Sequence, residues 1–165
     1  MHIRLAKIKD LVKIVEIYNQ AIPSKSSTGD TVLFKPEERI DWFNSHTPDK
    51  YPIFVAEIAE KVVGWISISP YRQNRGAFDY TAEISYYIEK KHHRKGIASE
   101  LLQYAMTQCS ALKINTLVAY IMEHNTASIK LMEKFGFERW GVLPNTAIFD
   151  GDEFNHTIYG KRVPF

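Results

Sequence analysis

The chain has 165 residues, of which 45% are hydrophobic, 24% charged and 13% aromatic, the make-up of one ordinary globular domain over residues 1–165. A formal net charge of +2 excludes the broad positive field of a nucleic-acid surface, so attraction for an anion has to be local. One cysteine, Cys109, excludes an intrachain disulfide and suits a reducing compartment. With no apolar signal core behind Met1 and no stretch of ~20 apolar residues, a cytoplasmic protein without membrane contact is expected.

His2 to Ala6 alternates as a strand does. Asp10 reads as the N-cap of a helix in which Leu11, Ile14, Val15 and Tyr18 recur at helical spacing. Residues 23–35, with Pro23, serines, Gly29 and Asp30, read as a loop long enough to be a lid or a substrate-binding segment. Pro36, followed by Glu37 and Glu38, opens a second helix, because proline fits a first turn and acids suit its positive end. Residues 53–58 and 62–68 form an antiparallel hairpin turning near Glu60 and Lys61. After a polar loop carrying Arg72 and Arg75, a strand runs from about Asp79 to Ile88, with Glu83, Ser85 and Tyr87 on one face and Ile84, Tyr86 and Ile88 on the other.

The helix from Gly96 to Cys109 carries a continuous apolar stripe (Ile97, Ala98, Leu101, Leu102, Ala105, Met106, Cys109), which makes Cys109 a core thiol. Residues 116–121 are almost wholly apolar, as a strand covered on both faces is. Strand, helix and buried strand make a βαβ unit, so these two strands are expected to be parallel with a right-handed crossover. Residues 126–135 form another helix, which Asn125 caps and Gly136 closes. One or two further strands follow, Phe154 to Tyr159 being the best candidate. The fold class is α+β with a mixed central sheet.

The junction Lys90-Lys91-His92-His93-Arg94-Lys95-Gly96-Ile97-Ala98-Ser99 puts a basic run and small residues at a helix start. Unpaired backbone N–H groups and the positive dipole end there suit a phosphate or diphosphate. No Gly-Lys-Ser/Thr follows, so a nucleotide P-loop is unsupported. A solvated basic turn that only caps the helix, or a nucleic-acid patch, would use the same run.

His93-Arg94-Lys95-Gly96-Ile97-Ala98 is similar to the Gln/Arg-x-x-Gly-x-Gly/Ala signature of the GNAT superfamily of N-acetyltransferases, with His93 departing at the first position. Residues 79–83, Asp-Tyr-Thr-Ala-Glu, resemble the stretch before that loop in phosphinothricin N-acetyltransferases. Residues 125–137, Asn-Thr-Ala-Ser-Ile-Lys-Leu-Met-Glu-Lys-Phe-Gly-Phe, resemble the superfamily's second signature. The resemblance covers nearly the whole chain and implies a mixed sheet of about seven strands, a central parallel pair and about four flanking helices. It implies acetyl-CoA as cosubstrate, with the diphosphate on His93, Arg94, Lys95, Gly96, Ile97, Ala98 and Ser99. The pantetheine arm would lie along the backbone of Tyr86, Tyr87 and Ile88, and Asn125 and Ser128 would touch the cofactor.

Amide formation from a thioester requires an unprotonated amine, so a base is needed. Glu83 is the candidate: burial beside Tyr80 and Tyr87 raises a carboxylate's pKa toward neutrality, and the glutamate matching it in phosphinothricin acetyltransferases is the proposed base. A water-facing or arginine-paired glutamate is the alternative. Many members carry a tyrosine seven residues after the asparagine that protonates the thiolate; here that position is Met132. Arg75 and Thr28 are candidate contacts for the acceptor, an arginine suiting a carboxylate or phosphinate; Arg72 is a weaker candidate. Asn155 stands where relatives often carry aspartate. No metal is expected, because His92 and His93 are adjacent and diverge.

The resemblance implies transfer to the amine of a small amino-acid-like acceptor (phosphinothricin, methionine sulfoximine or methionine sulfone type) in a ternary complex. Alternatives are a protein N-terminus, a polyamine or a non-catalytic coenzyme A sensor. The sequence leaves the oligomeric state open; the resemblance allows a homodimer, for which Trp140, Phe149, Phe154, Tyr159 and Phe165 offer interface material.

Overall fold

The computed structural model describes residues 1–164. In chain order the elements are β1 (His2–Leu5), α1 (Leu11–Ala21), α2 (Ile40–Asn44), β2 (Ile53–Ile58), β3 (Lys61–Pro70), β4 (Thr81–Ile88), α3 (Ile97–Gln108), β5 (Thr116–Met122), α4 (Thr126–Lys134), β6 (Glu138–Phe149) and β7 (Asp152–Arg162). All seven strands join one sheet in the order β1-β2-β3-β4-β5-β7-β6. Every neighbouring pair is antiparallel except β4 and β5. The α+β class, the central parallel pair and the four helices are as expected.

Alternation along the strands sorts side chains to two faces. Ala82 and Ile84 of β4 meet Leu117, Ala119 and Ile121 of β5 beneath Leu101, Leu102, Ala105 and Cys109 of α3 and Met132 of α4. Ile53, Val55, Val62 and Trp65 take Ile14 and Ile17 of α1 on the opposite face. Cys109 is fully buried and its Sγ–H donates to the Ala105 carbonyl, so it is the core thiol its stripe predicts.

Local departures from expectation have local causes. Asp10 precedes α1, but its carboxylate makes no cap bond to that helix. It accepts the Lys7 N–H at 2.7 Å, closing the 3-10 turn Ile8–Asp10, and takes two N–H groups of Arg4 at 2.7 and 3.0 Å. The element opened by Pro36 is a 3-10 turn, Pro36–Arg39, running into the short α2. A further 3-10 turn at Gly76–Phe78 delays β4 to Thr81. Two further strands end the chain as a long hairpin, β7 covering Phe154 to Tyr159 as expected. Asp150 and Gly151, at φ 53° and 89°, form its two-residue loop, a conformation that favours this pair of residue types. Pro144 sits on β6, the edge strand, inside an irregularity between Leu143 and Ala147, where a missing N–H is tolerated. Of the aromatics expected at an interface, Phe149 and Tyr159 are buried in the chain's own core. Trp140 lies over Gly160, where any Cβ would meet the indole at 2.0 Å, and is 47% exposed. Phe165 lies outside the described residues.

Candidate active site

The parallel pair is joined over three residues only: Thr81, Ala82 and Glu83 face Thr116, Leu117 and Val118. Beyond them β4 stays with β3 through Ile88, and β5 stays with β7 through Met122. Each strand follows its own antiparallel partner, and the sheet's right-handed twist draws the two apart. The facing edges of residues 84–88 and 119–122 therefore present backbone donors and acceptors to a gap.

Two cavities meet at that gap. The larger, about 670 Å³, is lined by Tyr86, Tyr87 and Ile88 of β4, by His93, Arg94, Gly96, Ile97, Ala98 and Ser99 at the start of α3, and by Asn125 and Ser128 of α4. The smaller, about 230 Å³, holds Glu83 and Ser85 of β4, Tyr120 and Met122 of β5, His156 of β7 and the loop residues Ser26 to Gly29. Ser27, Tyr86, Tyr87, Asn125 and Ser128 border both and mark a waist between them.

The larger cavity fits a diphosphate. Gly96, at φ 81°, precedes the first turn of α3, and a Cβ there would meet nothing within 4 Å, so the approach to the helix's unpaired amides stays open. Arg94 is also left-handed, at φ 61°, which helps turn successive N–H groups toward one side. The basic run divides its tasks. Glu89, nearly buried, takes Lys13 at 2.7 Å and Lys91 and His92 at 3.4 Å, so those two residues help build the turn. The His93 imidazole Nε2–H donates to the Ile88 carbonyl at 2.8 Å, tying the loop to the end of β4. Lys95 is exposed and does not border the cavity. Asn125 caps α4 by accepting the Ser128 N–H at 3.2 Å, while lining both cavities.

Glu83 lies on the floor of the smaller cavity. Burial raises its carboxyl pKa, and the Arg72 charge pulls it back in part, so the group is a stronger base than a solvated glutamate. Tyr87 shares its face, whereas Tyr80 is half exposed with the Lys50 ammonium over its ring. Arg75 opens the exposed Gly76–Phe78 turn and borders neither cavity; Arg72 is the arginine whose charge reaches Glu83. Thr28 does line the smaller cavity, its Oγ1 2.6 Å from the Tyr18 hydroxyl. The loop around it roofs both cavities and is tied across the gap. The His124 Nε2–H donates to the Lys25 carbonyl at 2.7 Å, and Lys25 pairs with Asp150. Tyr120 and His156 were not singled out from sequence; their rings stack at 5.5 Å, and burial lowers the His156 pKa, so it stands neutral at pH 7. Their signal is alternation, which sets Tyr120 and Met122 on the sheet face of Glu83. Asn155 donates to Glu123 at 2.6 Å and accepts the Asn145 N–H at 2.9 Å, a structural task at the hairpin. Among the described residues no three His, Cys, Asp or Glu side chains gather as metal ligands.

One cavity with the start of α3 in its wall opens onto a second that holds a carboxylate made more basic by burial. That pairing belongs to acyltransferases that bring a coenzyme A thioester to a nucleophile. The comparisons carry this to a family. Residues 12–137 match the model of the acetyltransferase (GNAT) family. YwnH of Bacillus subtilis (strain 168), provisionally a phosphinothricin acetyltransferase, is 41% identical over 164 residues, 99% of each chain. The L-methionine sulfoximine/L-methionine sulfone acetyltransferase of Salmonella typhimurium is 30% identical over 148 residues, 90% of this chain and 86% of the relative. The phosphinothricin acetyltransferase of Sinorhizobium meliloti in complex with acetyl-CoA superposes with a TM-score of 0.91 at 28% identity, covering 98% of this chain and 88% of that one. The chain belongs to the GNAT family and is an acetyl-CoA-dependent N-acetyltransferase.

Proposed function

We propose that the chain, as one domain, acetylates the α-amine of a small amino-acid analogue of the phosphinothricin, methionine sulfoximine or methionine sulfone type. The carrying observation is Glu83 on the floor of a 230 Å³ cavity that meets the larger cleft at a shared waist. Acetyl-CoA binds with its diphosphate on the amides at the start of α3 and its arm along the free edge of β4. The amine enters the smaller cavity, gives its proton to Glu83 directly or through a water, and attacks the thioester carbon without an acyl-enzyme. A backbone N–H of the open β4 edge polarises the carbonyl. The size of the cavity and the charge of Arg72 favour a compact acidic acceptor over a polyamine or a protein N-terminus.

The open edge of β6, with Trp140, Leu143 and Ile148 exposed, supports pairing of two copies, and a lone buried thiol supports a reducing, cytoplasmic setting. No metal and no nucleic acid enter this reading. Met132, which has no proton to give, favours one second reading, a non-catalytic coenzyme A sensor.

Release of coenzyme A thiol from acetyl-CoA across a panel of amines, in wild type and Glu83→Gln, tests the proposal. Turnover with an amino-acid analogue and a loss of ~10²-fold or more in the variant are expected. Full activity in Glu83→Gln removes the carboxylate from its role, and wild-type silence on every amine favours the sensor.

A further inference from the structure

Among the described residues only two buried side-chain nitrogen or oxygen atoms make no hydrogen bond, His92 Nδ1 and the Tyr86 hydroxyl. The second belongs to a residue of the waist. Tyr86 extends from the open part of β4 on the face covered by α3 and α4, packs against the core, and borders both cavities. Its hydroxyl lies alongside Ser128 in the first turn of α4 without a hydrogen bond of regular geometry. Its neighbours are engaged: the Tyr87 hydroxyl donates to the Ser27 carbonyl at 3.3 Å, and the Asn125 side-chain oxygen caps α4. A buried hydroxyl left unpaired is destabilising, and this one belongs to a residue that lines both cavities, so a ligand filling the waist can supply its partner.

We propose that the Tyr86 hydroxyl is the hydrogen-bond donor that receives the sulphur of the departing coenzyme A thiolate. This rests on the acetyl-transfer reading, which puts the thioester at the waist, between Glu83 in the smaller cavity and the diphosphate cradle of the larger. As the C–N bond forms and the C–S bond breaks, the electron pair leaves on sulphur while the amine's proton goes to Glu83. Met132, four residues beyond Ser128 on α4, is fully buried and has no proton to offer, and the Ser128 alcohol is a far weaker acid than a phenol.

A free phenol titrates near ~10 and a thiol near ~8.5, and burial raises Tyr86 further. The proton therefore stays on oxygen, and Tyr86 stabilises the sulphur as an anion rather than forming a tyrosinate. The thiolate takes its proton afterwards from Glu83 or solvent, so atoms and charges balance.

The test is an ultraviolet titration of the thiolate of coenzyme A bound to wild type and to Tyr86→Phe, with calorimetry to establish binding. The bound thiol should titrate about one unit lower in wild type than in the variant. The variant's kcat should fall ~10-fold or more with KM for the amine unchanged. Equal thiol pKa values in the two proteins overturn the role of Tyr86, and intact acetylation by wild type in the same experiment leaves the wider reading standing. Absence of coenzyme A binding by wild type instead overturns the acetyl-transfer reading, and this inference with it. Should Tyr86→Phe fail to fold or bind, fluorotyrosine at position 86, a more acidic donor, should lower the bound thiol's pKa below that of wild type; no shift overturns the proposal.

Discussion

Two polar clusters of this molecule are built on opposite terms. At the N-terminal edge of the sheet, Arg4 joins Asp10 and Glu57: its guanidinium gives Asp10 two hydrogen bonds and holds Glu57 with Nε at 2.9 Å, while Asp10 also accepts the Lys7 N–H. Burial alone would raise the Asp10 pKa, and these donors outweigh it and hold the carboxyl below its ordinary value. Around the two cavities the balance is reversed. Glu83 has no donor strong enough to offset burial, so its pKa rises, and Tyr86 keeps an unpaired hydroxyl. A group whose bonds are complete within the fold serves stability. Glu83 and Tyr86, left incomplete in residues that line the cavities, are free to take a ligand.

Breaking each side of this contrast should fail in a different assay. Glu83→Gln carries the largest effect, ~10²-fold or more in kcat/KM, with thermal stability unchanged or higher. Asp10→Ala should do the reverse. It leaves Arg4 with Glu57 alone and should cost about 2 kcal/mol, a fall of roughly 4–8 °C in Tm for a domain of this size, with kcat per folded molecule unchanged. Because the folded pKa of Asp10 lies below its unfolded value, its contribution is present above about pH 4 and is lost as pH falls through the folded pKa. The gap between wild type and Asp10→Ala should therefore close in acid, as denaturant melts at several pH values would measure.

Smaller effects sharpen the waist. Gly96→Ala puts a Cβ at a left-handed position and into the open cradle, costing about 1 kcal/mol in strain and raising the acetyl-CoA Kd ~10-fold by calorimetry. Arg72→Gln should move a pH profile. The unprotonated carboxylate is the active form, so the rate is full above the pKa of Glu83 and falls as pH drops through it. Without the Arg72 charge that pKa rises further, and the acid limb of kcat/KM should shift to higher pH; a limb that stays or moves down separates Arg72 from Glu83.

Much of this was legible in the sequence because it is local. The α3 stripe, the apolar run of β5, the Asn125 cap and Gly136, at φ 75°, each announce an element through its own residues. The alternation of β4 put Glu83 and Tyr87 on one face and Tyr86 on the other. What escaped depends on pairing across the chain. The parallel join ends at Glu83 because β4 and β5 follow different partners, a property of neither segment alone. Arg75 matched by resemblance, yet the Gly76–Phe78 turn leaves it in solvent and Arg72 is the one felt by Glu83. β6, allowed for as a second further strand, could not be located because Gly141 and Pro144 interrupt its pattern and most of it faces solvent, although Asp150-Gly151 was a readable hairpin signal.

The single stretch of chain from Ser24 to Gly29 supplies lining residues to both cavities, so ligands in the two can act on one another through it. Whatever factor a seated nucleotide thioester adds to amine affinity by ordering that roof, the amine must return in equal measure to the thioester. The spent thiol form, which retains the diphosphate, would hold the same roof down.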